Sequence, residues 1–187
     1  MLPWFIPILV SGNIFKFFFN DTGFINGVLL SIGLIHRPIS WLTSGSAIYT
    51  ATLVNIWLGI PFNFILLYTG LKSVPTELYE AADIDGATGR QKAFYITLPM
   101  LKSVVMTTLM FGFISTMQVF DLIWVLTGGG PANLSQIFGT YSYYQAFTNF
   151  NFGQASAISM FLFLLVMIVT IILMFVQSKK IKPGEMQ

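Results

Sequence analysis

The sequence predicts an all-α, polytopic membrane helix bundle with about four transmembrane helices and one helical loop held in water. Three observations carry that prediction. Of 187 residues, 55% are hydrophobic and only 9% charged, with a mean hydropathy of +0.77; soluble domains carry about 25% charged residues. The apolar residues gather in four runs, each of about the length that crosses roughly 30 Å of hydrocarbon as a helix. Between the second and third runs lies one long polar island, residues 75–99, PTELYEAADIDGATGRQKAFYITLP. It holds Glu77, Glu80, Asp83, Asp85, Arg90 and Lys92, and burying such charges in hydrocarbon would cost several kcal/mol each.

Residues 1–19, MLPWFIPILVSGNIFKFFF, are the first run. No basic segment precedes it and no small-residue cleavage site closes it, so it reads as a span and not as a secretion signal. Pro3 and Pro7 lie near its start, where a helix tolerates them, and Lys16 can reach from its far end to the interface. Asn20, Asp21, Gly23, Gly27 and Gly33 interrupt residues 20–43. A short surface helix is expected over 21–34, and an interfacial loop around Arg37, Pro38 and Trp41. The second span is expected over 44–70, the third over 101–127 and the fourth over 155–177. Gly128, Gly129, Gly130 and Pro131 terminate the third. Tyr141, Tyr143, Tyr144, Phe147, Phe150 and Phe152 follow, an aromatic set suited to a membrane-interface belt. The length suits a single membrane domain, residues 1–187.

Inside the island, local rules predict two short helices and a sharp corner. Pro75 suits a helix start, and Glu77 and Glu80 follow where carboxylates favour the positive end of the helix dipole. Gly86 tolerates the left-handed conformation of a helix end. Thr88 and Gln91 have the spacing of a capping box that opens a second helix. Pro99 falls where the chain re-enters the membrane, and Ala81 and Ala82 are small enough to let another surface approach.

Basic residues set the expected orientation. Lys72, Arg90, Lys92 and Lys102 flank the island or lie in it, and Lys179, Lys180 and Lys182 lie in the tail; only Lys16 and Arg37 fall on the other side. The excess places the island and the C-terminus in the cytoplasm, and with four spans Met1 lies there too. Several chemistries are excluded. There is no cysteine, hence no disulfide, thiol catalysis or cysteine metal site. His36 is the single histidine, hence no multi-histidine site. No G-x-x-x-x-G-K-[ST] loop is present, so the chain is not expected to hydrolyse ATP.

Glu80-Ala81-Ala82, then Gly86, then Ile96-x-Leu98-Pro99 makes the pattern EAA-x3-G-x9-I-x-LP. It resembles the EAA loop of the permease subunits of ABC importers, whose coupling helix docks on a separate cytoplasmic ATPase. The plain alternative is a connector between two spans. The likeness extends over nearly the whole chain. Phe120-Asp121, Leu126-Thr127 and Gly129-Gly130-Pro131 resemble the larger, maltose-type permease of carbohydrate importers, as do Leu2-Pro3, Gly23-x-x-Asn26 and Asn55-x-Trp57-x-Gly59-x-Pro61. Members of that family usually carry about two further helices ahead of the position of Leu2-Pro3. The chain thus resembles the C-terminal two-thirds of a permease, as a truncation, a gene fragment or a late start codon would produce.

Two helical stripes are candidates for a translocation path. Asn55, Leu58, Gly59 and Phe62 share one face at i, i+3, i+4, i+7. An amide, a gap and a ring suit one wall of a sugar site; helix packing around small residues is the other reading. Gly112, Ser115, Thr116 and Val119 repeat the spacing, with Gln118 beside them, and their hydroxyls could instead bond back to their own helix. In maltose-type permeases the matching positions face the path. Asp121, an acid near the outer end of the third span, is a functional candidate by default, or else an interfacial or capping residue. No Lys or Arg lies in the central parts of spans two to four, which favours a neutral solute.

Together these readings imply a permease subunit of an ATP-driven carbohydrate importer in the inner membrane of a bacterium or archaeon. The resemblance implies a second homologous permease, two cytoplasmic ATPase subunits that carry the ATP and magnesium, and an external solute-binding protein. This chain itself is expected to hold no cofactor and no metal. The rivals are an ABC permease for another solute class, an ATP-independent secondary transporter or channel, and a non-transporting remnant.

Overall fold

The structure, a computed structural model, describes residues 5–180, without the side chains of residues 178–180. Leu2, Pro3, Lys182 and the side chains of Lys179 and Lys180 therefore lie outside what it describes. Among the described residues it contains helices and loops and no strand. The helices are α1 (Ile8–Phe18), α2 (Phe24–Ser31), α3 (Ala47–Lys72), α4 (Thr76–Ile84), α5 (Gly89–Lys92), a π-helical turn (Ala93–Thr97), α6 (Leu98–Met117), α7 (Asp121–Leu126), α8 (Phe138–Phe147) and α9 (Phe152–Lys180).

Among the described residues, three helical stretches are long and apolar enough to cross a membrane: Ala47–Lys72, Gly89–Met117 and Phe152–Gln177. The last is mostly exposed along its length, with Val166 an exception, as befits a surface made for lipid or for neighbouring helices. α1 is shorter than the expected first span. Its 11 residues, entered at Pro7, cover about 16 Å at 1.5 Å per residue. The expected third span over 101–127 is corrected at both ends. It starts earlier, because α5, the π-turn and α6 run on as one stretch from Gly89. It stops at Met117, and Phe120, at φ −126° and ψ −57°, separates it from α7. The apolar residues beyond that break serve a protein core: Leu122, Ile123 and Leu126 are buried in packing.

The chain forms two compact units, one of Met1–Ile60 with Thr116–Val166, the other of Pro61–Ser115 with Met167–Gln187. In the first, Phe19, Ala51, Val54, Leu122, Ile123 and Leu126 make the core. Gly12 brings α1 against α7, since a Cβ there would lie 3.0 Å from Val125 Cγ1. Loop 35–46 is tied down by Asn26, which is 1% exposed. Its Nδ2 donates to the carbonyls of Asp21 at 3.0 Å and Ile39 at 2.9 Å. Its Oδ1 accepts from Ile39 N and from Trp41 Nε1, both at 3.1 Å.

In the second unit a Cβ on Gly70 would stand 2.8 Å from the Val104 methyls, so α3 and α6 approach closely there. Gln177 Nε2 donates to Ser103 Oγ and Thr107 Oγ1 at 3.4 and 3.3 Å, joining α9 to α6.

Candidate functional site

The polar island folds as its local rules require. Pro75 is the N-cap residue of α4, and Glu77 sits in the first turn. α4 closes in a Schellman turn. Gly86 N donates to Asp83 O at 3.1 Å and Ala87 N to Ala82 O at 2.9 Å, with Gly86 at φ +70°. Thr88 then caps α5: Gln91 Oε1 accepts from Thr88 N at 2.7 Å, and Thr88 Oγ1 accepts from Gln91 N at 3.4 Å. Pro99 does not mark the membrane entry as a break. It lies in the first turn of α6, directly after the π-turn, in which Leu98 N reaches back five residues to Ala93 O. In a regular α-helix the Pro99 ring would strike the carbonyl of Tyr95; the wider turn relieves that contact.

α4 has two faces of different use. Glu77, Glu80, Ala81 and Ile84 share the outer face, all exposed, with Ile84 at 88%. Tyr79, Ala82 and Asp83 lie on the inner side. Tyr79 Oη and Thr97 Oγ1 hydrogen-bond at 2.9 Å, and Asp83 pairs with Lys92. Ala82 is half-buried, so of the two alanines only Ala81 stands open to an incoming surface. Ile96 is half-buried, and Leu98 and Pro99 are exposed.

The path candidates divide between the units. In the first unit, Asn55 is half-exposed and its amide has no side-chain hydrogen bond among the described residues. Leu58 and Val119 pack, partly buried, against the core. Gly59 is half-exposed beside them on α3. Thr116 is exposed and, with Met117, Gln136, Ile137, Phe138 and Tyr141, lines a cavity of about 420 Å³. The second stripe assumed one unbroken helix; α6 ends at Met117, so Val119 lies beyond it. In the second unit, Phe62 meets Phe111 edge-on at 6.0 Å. Gly112 faces open space, with nothing within 4 Å of a Cβ built there, and Ser115 is exposed. Asp121 is the first residue of α7 and is exposed, where a carboxylate suits the positive end of the helix dipole.

Residues 1–183 match the family described as binding-protein-dependent transport system inner membrane component. The chain belongs to this family. As a member it is 38% identical over 176 residues to the trehalose/maltose transport system permease protein MalF of Thermococcus litoralis, a match covering 92% of this chain and 58% of that protein. A solved bacterial ABC transporter involved in the import of the acidic polysaccharide alginate superposes with a TM-score of 0.86 at 25% identity, over 97% of this chain and 64% of that one. Another structure, the alginate ABC transporter in complex with alginate pentasaccharide-bound periplasmic protein, gives 0.81 at 25% identity, over 92% and 60%. The chain thus spans about three-fifths of the length of these relatives.

Sequence reasoning about this inner-membrane component missed Tyr79, Thr97, Ile84 and the Asp83–Lys92 pair. Tyr79 and Asp83 were legible as an i, i+4 pair on α4. Their partners were not, because Lys92 and Thr97 are five apart, a spacing that only the π-turn brings round. Ile84 gave a signal of its own, an aliphatic residue flanked by Asp83 and Asp85.

Proposed function

We propose that this chain forms part of the translocation path of an ATP-driven importer for a sugar or oligosaccharide, and that residues 75–99 couple it to the ATPase. One observation carries the coupling reading. The EAA element folds as a corner whose outer face, Glu77, Glu80, Ala81 and Ile84, stays exposed while Tyr79 and Asp83 on its inner side are tied to Thr97 and Lys92. Such a face is built to meet another protein. The relatives that handle trehalose and maltose, or alginate, support a carbohydrate as the solute. The proposed partners are a second homologous permease, two cytoplasmic ATPase subunits that bind ATP and magnesium, and an external solute-binding protein. A periplasmic protein accompanies the related alginate transporter. ATP draws the ATPase pair together, the coupling helices follow, and the helix bundle turns outward to receive solute. Hydrolysis takes place on the ATPase; this chain contributes binding and geometry.

The test is co-purification of the chain with the ATPase and stimulation of ATP hydrolysis by solute-loaded binding protein. Failure of both would leave residues 75–99 as a connector. The orientation proposed from the basic residues has its own check. A cysteine at Gly89, exposed and with open space for a side chain, is expected to react with an impermeant thiol reagent only from the cytoplasm. One at Leu134, 56% exposed, is expected to react only from outside. The chain has no cysteine of its own, so labelling of this subunit is clean; the reverse pattern would overturn both the orientation and the coupling role.

For the path, Asn55→Leu is expected to raise the KM for uptake about twofold to tenfold, the worth of one hydrogen bond to a hydroxyl. Assembly and ATPase capture are expected to stay normal. Unchanged uptake kinetics in a normally assembled variant would remove Asn55 from the path.

A further inference from the structure

We propose that the Tyr79–Thr97 hydrogen bond is a strut that makes α4 and the base of α6 one body, so that movement of the coupling helix reaches the span without loss. The inference rests on the coupling reading above and assigns positioning residues to it. The backbone route from α4 to α6 is indirect. It passes the Schellman turn at Gly86, the four-residue α5 and the π-turn before Leu98. Each is a place where a push on α4 can dissipate as backbone bending. Two cross-links shorten that route, and the Tyr79–Thr97 one spans all three. Asp83 is tied to Lys92 at the end of α5, but Asp83 is 62% exposed, and a solvated pair of that kind contributes little. The Tyr79 link differs in kind. It is a part-buried neutral bond of 2.9 Å between groups 18 residues apart, and it ends on the last residue of the π-turn, against the start of α6.

The π-turn is what makes the strut possible. It underwinds the helix by one extra residue and brings Thr97 over Lys92, whose carbonyl lies 3.4 Å from Thr97 Oγ1. One local feature therefore does two things: it accommodates Pro99, and it turns Thr97 toward Tyr79. Neither Tyr79 nor Thr97 lies on the exposed outer face of α4, so removing their hydroxyls leaves the docking surface unchanged.

That separation gives the experiment. In the full importer, reconstituted with its ATPase and binding protein, we compare the wild type with Tyr79→Phe, Thr97→Val, the double variant and Thr97→Ser. Two quantities are read: ATPase captured by the permease, and solute moved per ATP hydrolysed. Tyr79→Phe and Thr97→Val are each expected to capture ATPase normally and to lower solute per ATP by a similar factor, about twofold to tenfold. The double variant is expected to be no worse than either single one, because both remove the same bond, and Thr97→Ser is expected to retain wild-type coupling. Normal capture with unchanged solute per ATP, or losses that add in the double variant, would overturn the strut alone. Failure of the wild-type permease to capture ATPase would overturn the coupling reading and the strut with it.

Discussion

Gly86→Val is expected to leave the permease in the membrane and uncouple it, with solute-stimulated ATP hydrolysis reduced by tenfold or more. The space beside Gly86 is open, with nothing within 4 Å of a Cβ, so no collision opposes a side chain. The obstacle is the backbone. At φ +70° an L-residue pays roughly 1–2 kcal/mol, and a β-branched one more, since its second γ-branch crowds its own backbone. The chain escapes that cost by leaving the left-handed region. Both closing bonds of the Schellman turn, Gly86 N to Asp83 O and Ala87 N to Ala82 O, then open. α4 frays at Ile84, which belongs to the outer face, and Thr88 no longer starts α5 from the same direction. Gly86→Asn is the control, because asparagine enters the left-handed region at least cost, and it is expected to retain most of the coupling. Pull-down of the ATPase together with solute-stimulated hydrolysis measures both. Normal binding and normal stimulation in Gly86→Val would make the island a connector.

Pro75, Gly86 and the Thr88–Gln91 box were legible in the sequence because helix ends obey rules that reach only four or five residues. The spans were legible where apolarity and exposure coincide, as along α9. They were not legible past Met117, because Leu122, Ile123 and Leu126 look the same to a hydropathy count whether they face lipid or a protein core. Thr97 escaped because the periodicity that exposes helix faces assumes 3.6 residues per turn, and the π-turn breaks it. Leu58 and Val119 show the corresponding limit for the path: spacing puts residues on a stripe, and packing decides which of them line an opening. Asn26 entered only as part of a family pattern, and Gly23 only there and as one of several chain breaks; their reasons are tertiary, and they concern a different joint.

At that joint, Asn26→Leu is expected to be strongly destabilising. Asn26 completes five bonds to segments on either side of α2: three carbonyls, that of Asn20 the longest at 3.4 Å, one N–H and the Trp41 indole. Leucine fills a similar volume and answers none of them. Asp21 is exposed, so its carbonyl can turn to water. Ile39 and Trp41 are half-buried, and each polar group left unpaired there costs about 1–3 kcal/mol. The damage spreads to the core, because Trp41 packs edge-on against Phe19 at 5.9 Å and Phe19 belongs to the buried cluster of its unit. Gly23 guards the same joint from the other side. A Cβ on it would fall 2.4 Å from the carbonyl oxygen of Phe17 and 2.6 Å from that of Phe18, and backbone cannot give way as a side chain can. Gly23→Ala is therefore expected to destabilise comparably, while Trp41→Phe, which loses one bond and keeps the ring, is expected to cost about 1 kcal/mol. Thermal inactivation of the detergent-purified permease reads all three. For Asn26→Leu and Gly23→Ala the midpoint is expected to fall on the order of 10 °C, and for Trp41→Phe by about a third of that. Equal small shifts for the three would mean that the loop is held by its apolar contacts and that the amide only fills space; a large shift for Asn26→Leu with a small one for Trp41→Phe would place the stability in the paired polar groups themselves.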